Sequence, residues 1–279
     1  MERQGPRRVA LLLAGSLGLL AAASPASADD TSPIEILVLK EHGVGSPSLA
    51  QPYVDRFVAL AAEDNGWSAA KGQYLSSRSA AETFIKNRSP KYGILSLAAF
   101  LALRERYQME VLGRVASKLA GGEQYFIVSR SARDLAGCKG HKLASDHFAD
   151  ARFVEKVVAR GDFKLAEFQL VKNQRPLQSL RQVLSGDVDC ALLDDAQLAE
   201  LQHLQGADSV KTVWKSKPLP PMAVVAFASA PIPQRKAFKA NLSSVCEGPQ
   251  NTACAEVGIH ALAPARTSDY AEVMALYAR

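Results

Sequence analysis

Ser76-Ser77-Arg78-Ser79 sets three hydroxyls and one guanidinium in four consecutive positions just ahead of a helix-forming run. The free N–H groups and dipole at a helix N-terminus favour an anion, and these side chains add donors at the same spot. A simpler role also fits, in which Ser79 opens a capping box with Glu82 and Arg78 is solvated. Asn173 and Arg175 precede a second helix start at Pro176. If Arg78 and Arg175 face each other, they can clamp one oxyanion with paired N–H donors. Asp194-Asp195 is an acid/base residue pair, but neighbouring side chains on a strand point to opposite faces, so at most one enters a cleft. His42 stands beside Gly43, Gly45 and Ser46, a segment able to turn backbone N–H groups toward a ligand. His42, Asp146, His147 and Asp150 are metal-ligand types, yet no His-x-x-x-His spacing joins them and no metal site is expected. With no nucleophile elbow, phosphate loop or dinucleotide fingerprint, no residue is given a catalytic role, no cofactor is expected and the chain is read as a non-enzyme.

The N-terminal residues say where these side chains work. Arg3, Arg7 and Arg8 precede an apolar run from Val9 to Ala23 that is too short to span a bilayer. Ala26-Ser27-Ala28 then supplies the small-x-small pattern of a signal peptidase site, so residues 1–28 read as a signal peptide cleaved after Ala28. The first cysteine is Cys138, so no thiol stands at position 29 to carry a lipid. A periplasmic location follows. The formal net charge of +5 falls by two once Glu2 and these three arginines are removed, which leaves too little bias to argue for nucleic acid. No second long apolar segment offers stable membrane insertion.

Four cysteines in an exported chain, with no Cys-x-x-Cys, read as two disulfides. Cys246 and Cys254 enclose a turn-rich loop whose closure stabilises by about 2.5 kcal/mol in the chain-entropy model. Cys138 and Cys190 remain, and their longer loop would give about 4 kcal/mol.

The elements that must position the candidate residues alternate between strand and helix. Ile34–Leu39 is strand-like; a helix follows with Pro52 in its first turn and Tyr53, Phe57, Leu60 and Ala61 on one face, ended by Asn65-Gly66. Gln73–Leu75 is a short strand, the next helix stops before Ser89-Pro90, and Tyr92–Ser96 is a third strand leading to a helix through Leu101 and Leu103. The pattern restarts with strands at Lys142–Ser145, Phe168–Val171 and Cys190–Leu193 and helices between them, then a strand at Val210–Trp214. Gln124–Ser129 and Ala223–Ala228 are strand-like stretches between the two runs, and only helices are expected after the second. A last helix with Tyr270, Val273 and Tyr277 on one face should cover the first lobe. In each lobe the first strand should lie beside the third, which would bring Cys138 near Cys190.

The order of these features resembles type II periplasmic solute-binding proteins, and within them the phosphate/phosphite/phosphonate group of ABC-transporter binding proteins. The resemblance rests on Tyr92-Gly93-Ile94-Leu95-Ser96, Phe100-Leu101, Gly121-Gly122-Glu123-Gln124-Tyr125, Asp134-Leu135-Ala136-Gly137 and Leu184-Ser185-Gly186-Asp187-Val188-Asp189-Cys190-Ala191. Pro218-Leu219-Pro220-Pro221, Gly258-Ile259 and Asp269-Tyr270 complete it. One departure stands out. Where the family has a serine-rich turn that holds an oxyanion, this chain reads Ser145-Asp146-His147-Phe148-Ala149-Asp150-Ala151-Arg152.

The resemblance implies an α/β, two-lobed fold, each lobe a mainly parallel sheet with helices on both faces, joined by two crossover strands. Residues 29–123 and 224–279 would form lobe one and 124–223 lobe two. Ligands of such folds settle beyond the carboxyl ends of the strands. The expected ligand-binding set is therefore His42, Ser46, Ser77, Arg78, Ser96, Tyr125, His147, Asn173, Arg175 and Asp194. The implied activity is capture of a small polar, phosphate- or phosphonate-like solute by a monomer for an inner-membrane ABC permease. A ligand-sensing domain of a signalling system on the same fold is the alternative.

Overall fold

Ile34-Glu35-Ile36-Leu37-Val38-Leu39 forms strand β1 (Ile34–Leu39), and its alternating side chains belong to two separate cores. Ile34, Ile36 and Val38 pack with Val54, Phe57 and Val58 of helix α1 (Pro47–Asp64). Leu37 and Leu39 enter a larger core on the opposite face, shared with Leu95, Phe100, Ile127, Leu143 and Leu192. The structure is a computed structural model and describes residues 1–2, 33–43, 47–116, 121–248, 251–256 and 258–279. The export signal and Ser46 fall outside the described residues.

The strands form two sheets. The six-stranded one combines β1 with β2 (Ala70–Leu75), β3 (Tyr92–Leu95), β4 (Glu110–Ala116), β10 (Ala223–Ala226) and β11 (Ala261–Pro264), in the order β11-β4-β10-β3-β1-β2. The five-stranded one contains β5 (Tyr125–Ser129), β6 (Lys142–Ser145), β7 (Gln169–Lys172), β8 (Cys190–Asp194) and β9 (Lys211–Lys215), in the order β7-β6-β8-β5-β9. Both contain the expected parallel trio, with the first strand between the second and third. Each sheet is mixed rather than mainly parallel, because β10, β4 and β11 join the first, and β5 and β9 the second, in antiparallel pairs. The chain passes to the second sheet between β4 and β5 and returns between β9 and β10.

Helices α2 (Arg78–Arg88) and α3 (Leu97–Leu103) follow β2 and β3; α4 (Gln178–Ser185) and α5 (Asp195–Ala199) flank β8. Helices α6 (Ile232–Asn241), α7 (Asn251–Glu256) and α8 (Ala271–Ala278) complete the chain. The disulfides are Cys138–Cys190 and Cys246–Cys254, as the spacing and topology imply, with Cα–Cα distances of 6.1 and 5.7 Å. The first ties the segment before β6 to the start of its neighbour β8.

Four further sequence expectations are corrected. Helix α1 begins at Pro47, where the missing N–H costs nothing, so Pro52 lies inside the helix. Helix α2 is capped by Ser77, whose hydroxyl accepts from the Ala80 N–H, and not by Ser79. Strand β11 follows the return crossing, where only helices were expected; it is four residues long, rich in alanine and ends on a proline that an edge strand tolerates. Helix α8 does not cover the first lobe alone. Tyr270, just before it, meets Phe100 of α3 with ring centroids 5.4 Å apart, while Tyr277 reaches Asp150, which follows β6 of the second sheet.

Candidate functional site

In-register parallel pairing brings the ends of β1, β2 and β3 level, since Leu39 lies opposite both Leu75 and Leu95. Lys40, Ser76 and Ser96 therefore leave their strands side by side. In the second sheet Ser145 pairs with Lys172, so the segments after β6 and β7 also leave together. The carboxyl ends of both trios point into one cleft, where two cavities lie. The outer, about 610 Å³, is lined by Glu41, His42, Gly43, Ser76–Ser79, Asp146, Ala149 and Lys172–Pro176. The inner, about 20 Å³, is bounded by Lys40, Glu41, His42, Ser96, Gly121, Tyr125, His147 and Asp194 among others.

Arg78 bridges the two sides. Its Nε and Nη2 donate to the two carboxylate oxygens of Glu41, each at 2.8 Å, and its Nη1 donates to Asp150 Oδ2 at 2.8 Å. Asp150 also accepts from the Tyr277 hydroxyl at 3.1 Å and from the Phe153 backbone N–H at 2.9 Å. Burial opposes the guanidinium charge, but Glu41 and Asp150 outweigh it and hold Arg78 firmly protonated. Arg78 is thus neither solvated nor free to clamp an anion alone. Arg175 is exposed and lines the outer cavity with it. Asn173 lines the same cavity, but its amide donates to Ser179 Oγ at 2.7 Å and Gln182 Oε1 at 2.8 Å, so its donors serve the second lobe's own packing.

A second cluster spans the cleft deeper in. His42 has φ +62°, a left-handed conformation that costs a non-glycine residue energy and is held only where the surroundings enforce it. Its Nδ1 lies 3.0 Å from Asp146 Oδ2, and its ring centroid is 4.3 Å from that of buried His147. Gln197 Nε2 donates to both Asp146 oxygens at 3.1 and 3.2 Å, and its Oε1 lies 3.3 Å from His147 Nε2. His147 Nε2 stands 3.8 Å from Asp146 Oδ1 and 4.0 Å from Asp194 Oδ2, with the Tyr125 ring edge-on at 5.0 Å. Asp194 caps α5 by accepting from the Gln197 N–H, whereas Asp195 turns away and accepts from the backbone N–H groups of Glu123 and Gln124. One of the two acids enters the cleft, Asp194 ending β8 and Asp195 opening α5 with its side chain turned to another loop.

The electrostatics follow from this packing. Burial raises the Asp194 carboxyl to about 7, with Asp195 and Asp146 adding to the rise. Burial and the neighbouring His42 lower His147 to about 4. Asp146 is pushed up by burial, but His147 and His42 outweigh this and leave it below the usual carboxylate range. Burial opposes the His42 charge, yet Asp146 and Glu41 raise it above an ordinary imidazole. Burial lowers Lys40 despite Asp194 and Asp195 nearby.

The structure places Ser77, Arg78, Asn173 and Arg175 at the outer cavity, Ser96, Tyr125, His147 and Asp194 at the inner one, and His42 at both. Glu41, Gln197 and Tyr277 also belong to the network, and none of them was in the expected ligand-binding set. Gln197 was recoverable, because Asp194-x-x-Gln197 is a capping box and both members hydrogen-bond as one. Glu41 and Tyr277 meet Arg78 and Asp150 only through the tertiary fold and leave no local signal.

The profile of a family described as ABC transporter, phosphonate, periplasmic substrate-binding protein matches residues 93–270. No protein of curated function matches the sequence. Among solved structures, a Xanthomonas citri protein bound to ATP is similar at a TM-score of 0.69, with 12% identity over 88% of this chain and 96% of that one. A binding-protein component of an ABC phosphonate transporter from Pseudomonas aeruginosa has a TM-score of 0.66 at 13% identity, covering 88% and 85% of the two chains. PhnD1 from Prochlorococcus marinus in complex with methylphosphonate reaches 0.65 at 9% identity, covering 88% and 97%. At these identities the likeness establishes a shared two-lobed fold.

Proposed function

Because the chain belongs to the periplasmic substrate-binding family of phosphonate ABC transporters, we propose that it captures a small oxyanion of phosphate or phosphonate type between residues 29–123 with 224–279 and residues 124–223, for delivery to an ABC permease. The observation that carries this reading is the outer cavity. Ser76, Ser77 and Ser79 meet it from the start of α2, while Lys172 and Arg175 meet it from the other sheet. Hydroxyls and N–H groups at a helix start, faced by two exposed cations, complement a tetrahedral oxyanion. The methylphosphonate of the Prochlorococcus protein and the ATP of the Xanthomonas protein share that phosphorus oxyanion.

Export after cleavage at Ala28 and a monomeric state complete the proposal, and two disulfides suit an oxidising compartment. The family is one of transport proteins, not enzymes. Calorimetry in a buffer free of phosphate, with phosphate, phosphite, methylphosphonate, an alkylsulfonate and a polyamine, tests the ligand class. Saturable binding of one phosphorus oxyanion is expected; preference for the polyamine would overturn it. The Asp146-His147 pair, standing where the family has a serine-rich turn, favours a second reading in which the same closure serves sensing. A neighbouring gene for a histidine kinase, in place of a permease, would support it.

A further inference from the structure

We propose that His42, Asp146 and His147 form a binding site for one divalent transition-metal ion of zinc type, placed where the two sheets meet. The donor set is two imidazoles and a carboxylate, and one ligand atom from each lies within 4.8 Å of the others. Bonds of roughly 2.0–2.2 Å in a tetrahedral zinc site put neighbouring donor atoms about 3.2–3.6 Å apart. Here His42 Nδ1 is 3.0 Å from Asp146 Oδ2, and His147 Nε2 is 3.8 Å from Asp146 Oδ1. Small side-chain shifts bring the three to that spacing. Asp194 Oδ2, 4.0 Å from His147 Nε2, stands within reach as a fourth oxygen donor.

Two further observations point to an occupant of ionic size. The inner cavity of about 20 Å³ is bounded by His42, His147 and Asp194, and a space of about 10–15 Å³ already admits one water-sized particle. Ser96 lines the same space, and its Oγ is buried with no hydrogen-bond partner among the described residues. Charge agrees in sign, since the carboxylates of Asp146 and Asp194 stand 3.8 and 4.0 Å from His147 Nε2 against Lys40, while Glu41 and Arg78 pair with each other. Two nitrogen donors select zinc, nickel or copper over magnesium and calcium, which require oxygen.

His42 and Asp146 also line the outer cavity, so the metal is tested with no solute present. Purified protein is stripped with EDTA, dialysed into a phosphate-free buffer and titrated calorimetrically with zinc chloride alone, then with calcium chloride. One zinc ion per chain is expected, with calcium at least 100-fold weaker. His42→Ala and His147→Gln should each weaken zinc at least tenfold. His42 is the more accessible of the two, so its variant reports even if His147→Gln fails to fold. No zinc binding to the unmodified protein overturns the proposal. So does affinity unchanged by His42→Ala, which would place the metal on the exposed histidines 141, 203 or 260, and so does calcium binding as tightly as zinc.

Discussion

Arg78, at the first position of α2, donates to Asp150 of the opposite sheet's layer at 2.8 Å and closes the cleft from within. The same guanidinium grips Glu41 with two parallel bonds, so one side chain ties β1's exit loop to the far wall. Replacing it leaves two carboxylates facing each other in a half-buried space.

Arg78→Ala is therefore expected to destabilise the fold by about 2–4 kcal/mol, because breaking a largely buried pair strands its partners. Urea unfolding measures this, and Asp150→Asn should give a smaller loss. Small-angle scattering should record a larger radius of gyration for both variants. Unchanged stability and radius in Arg78→Ala would mean that the bridge does not hold the lobes.

Arg175→Ala should behave differently. The side chain is exposed and lines the outer cavity, so stability should change by less than about 0.5 kcal/mol. Methylphosphonate affinity should fall about tenfold, as expected for a charge-assisted contact. Retention of full affinity would place the oxyanion elsewhere.

Asp194 gives the chain a pH signature. Its folded-state value near 7 lies above the unfolded carboxylate value, so the folded state holds the proton more tightly. That contribution is fully present below about pH 4 and is lost as pH rises toward 7 and above. Asn at this position caps α5 as well as Asp does and cannot ionise. In EDTA-treated protein, Asp194→Asn should match the unmodified chain in melting temperature at pH 4 and exceed it by several degrees at pH 8. A constant difference across that range would show that Asp194 titrates normally.

The disulfides should contribute unequally. Removing Cys138–Cys190 opens the longer loop and unlinks β6 from β8, so the double alanine variant should lose about 2–5 kcal/mol. The Cys246–Cys254 variant should lose less, because its loop is short. Denaturant midpoints of the two variants decide the order.

Much of this architecture was legible because it is local. The period-2 run at Ile34–Leu39, the glycine at 66 and the repeated strand-helix units are set by neighbours in sequence, and the parallel trios followed from them. Strand β4 was not legible. Gly113 and Arg114 interrupt its apolar pattern, and its hydrogen-bonding partners are β10 and β11, more than 100 residues away. The candidate site divides in the same way. Ser77, Arg78 and Arg175 could be read from helix starts, but the meeting of His42 with Asp146, 104 positions apart, is created by the fold alone. Arg78 was misjudged for a related reason: nothing near it in sequence reveals Glu41 or Asp150.

The placement of β10 sets an order of assembly. Among the described residues strand β4 pairs only with β10 and β11, and β10 stands between it and β3. A chain threaded across a membrane from its N-terminus would therefore expose residues 110–116 as an unpaired edge until residues 223–226 emerge, by which time every strand of the second sheet is already out. The lobe begun first is completed last. Such a strand is a target for off-pathway pairing during translocation, and arrested intermediates ending before residue 223 should be far more protease-sensitive at 110–116 than those extended past 264.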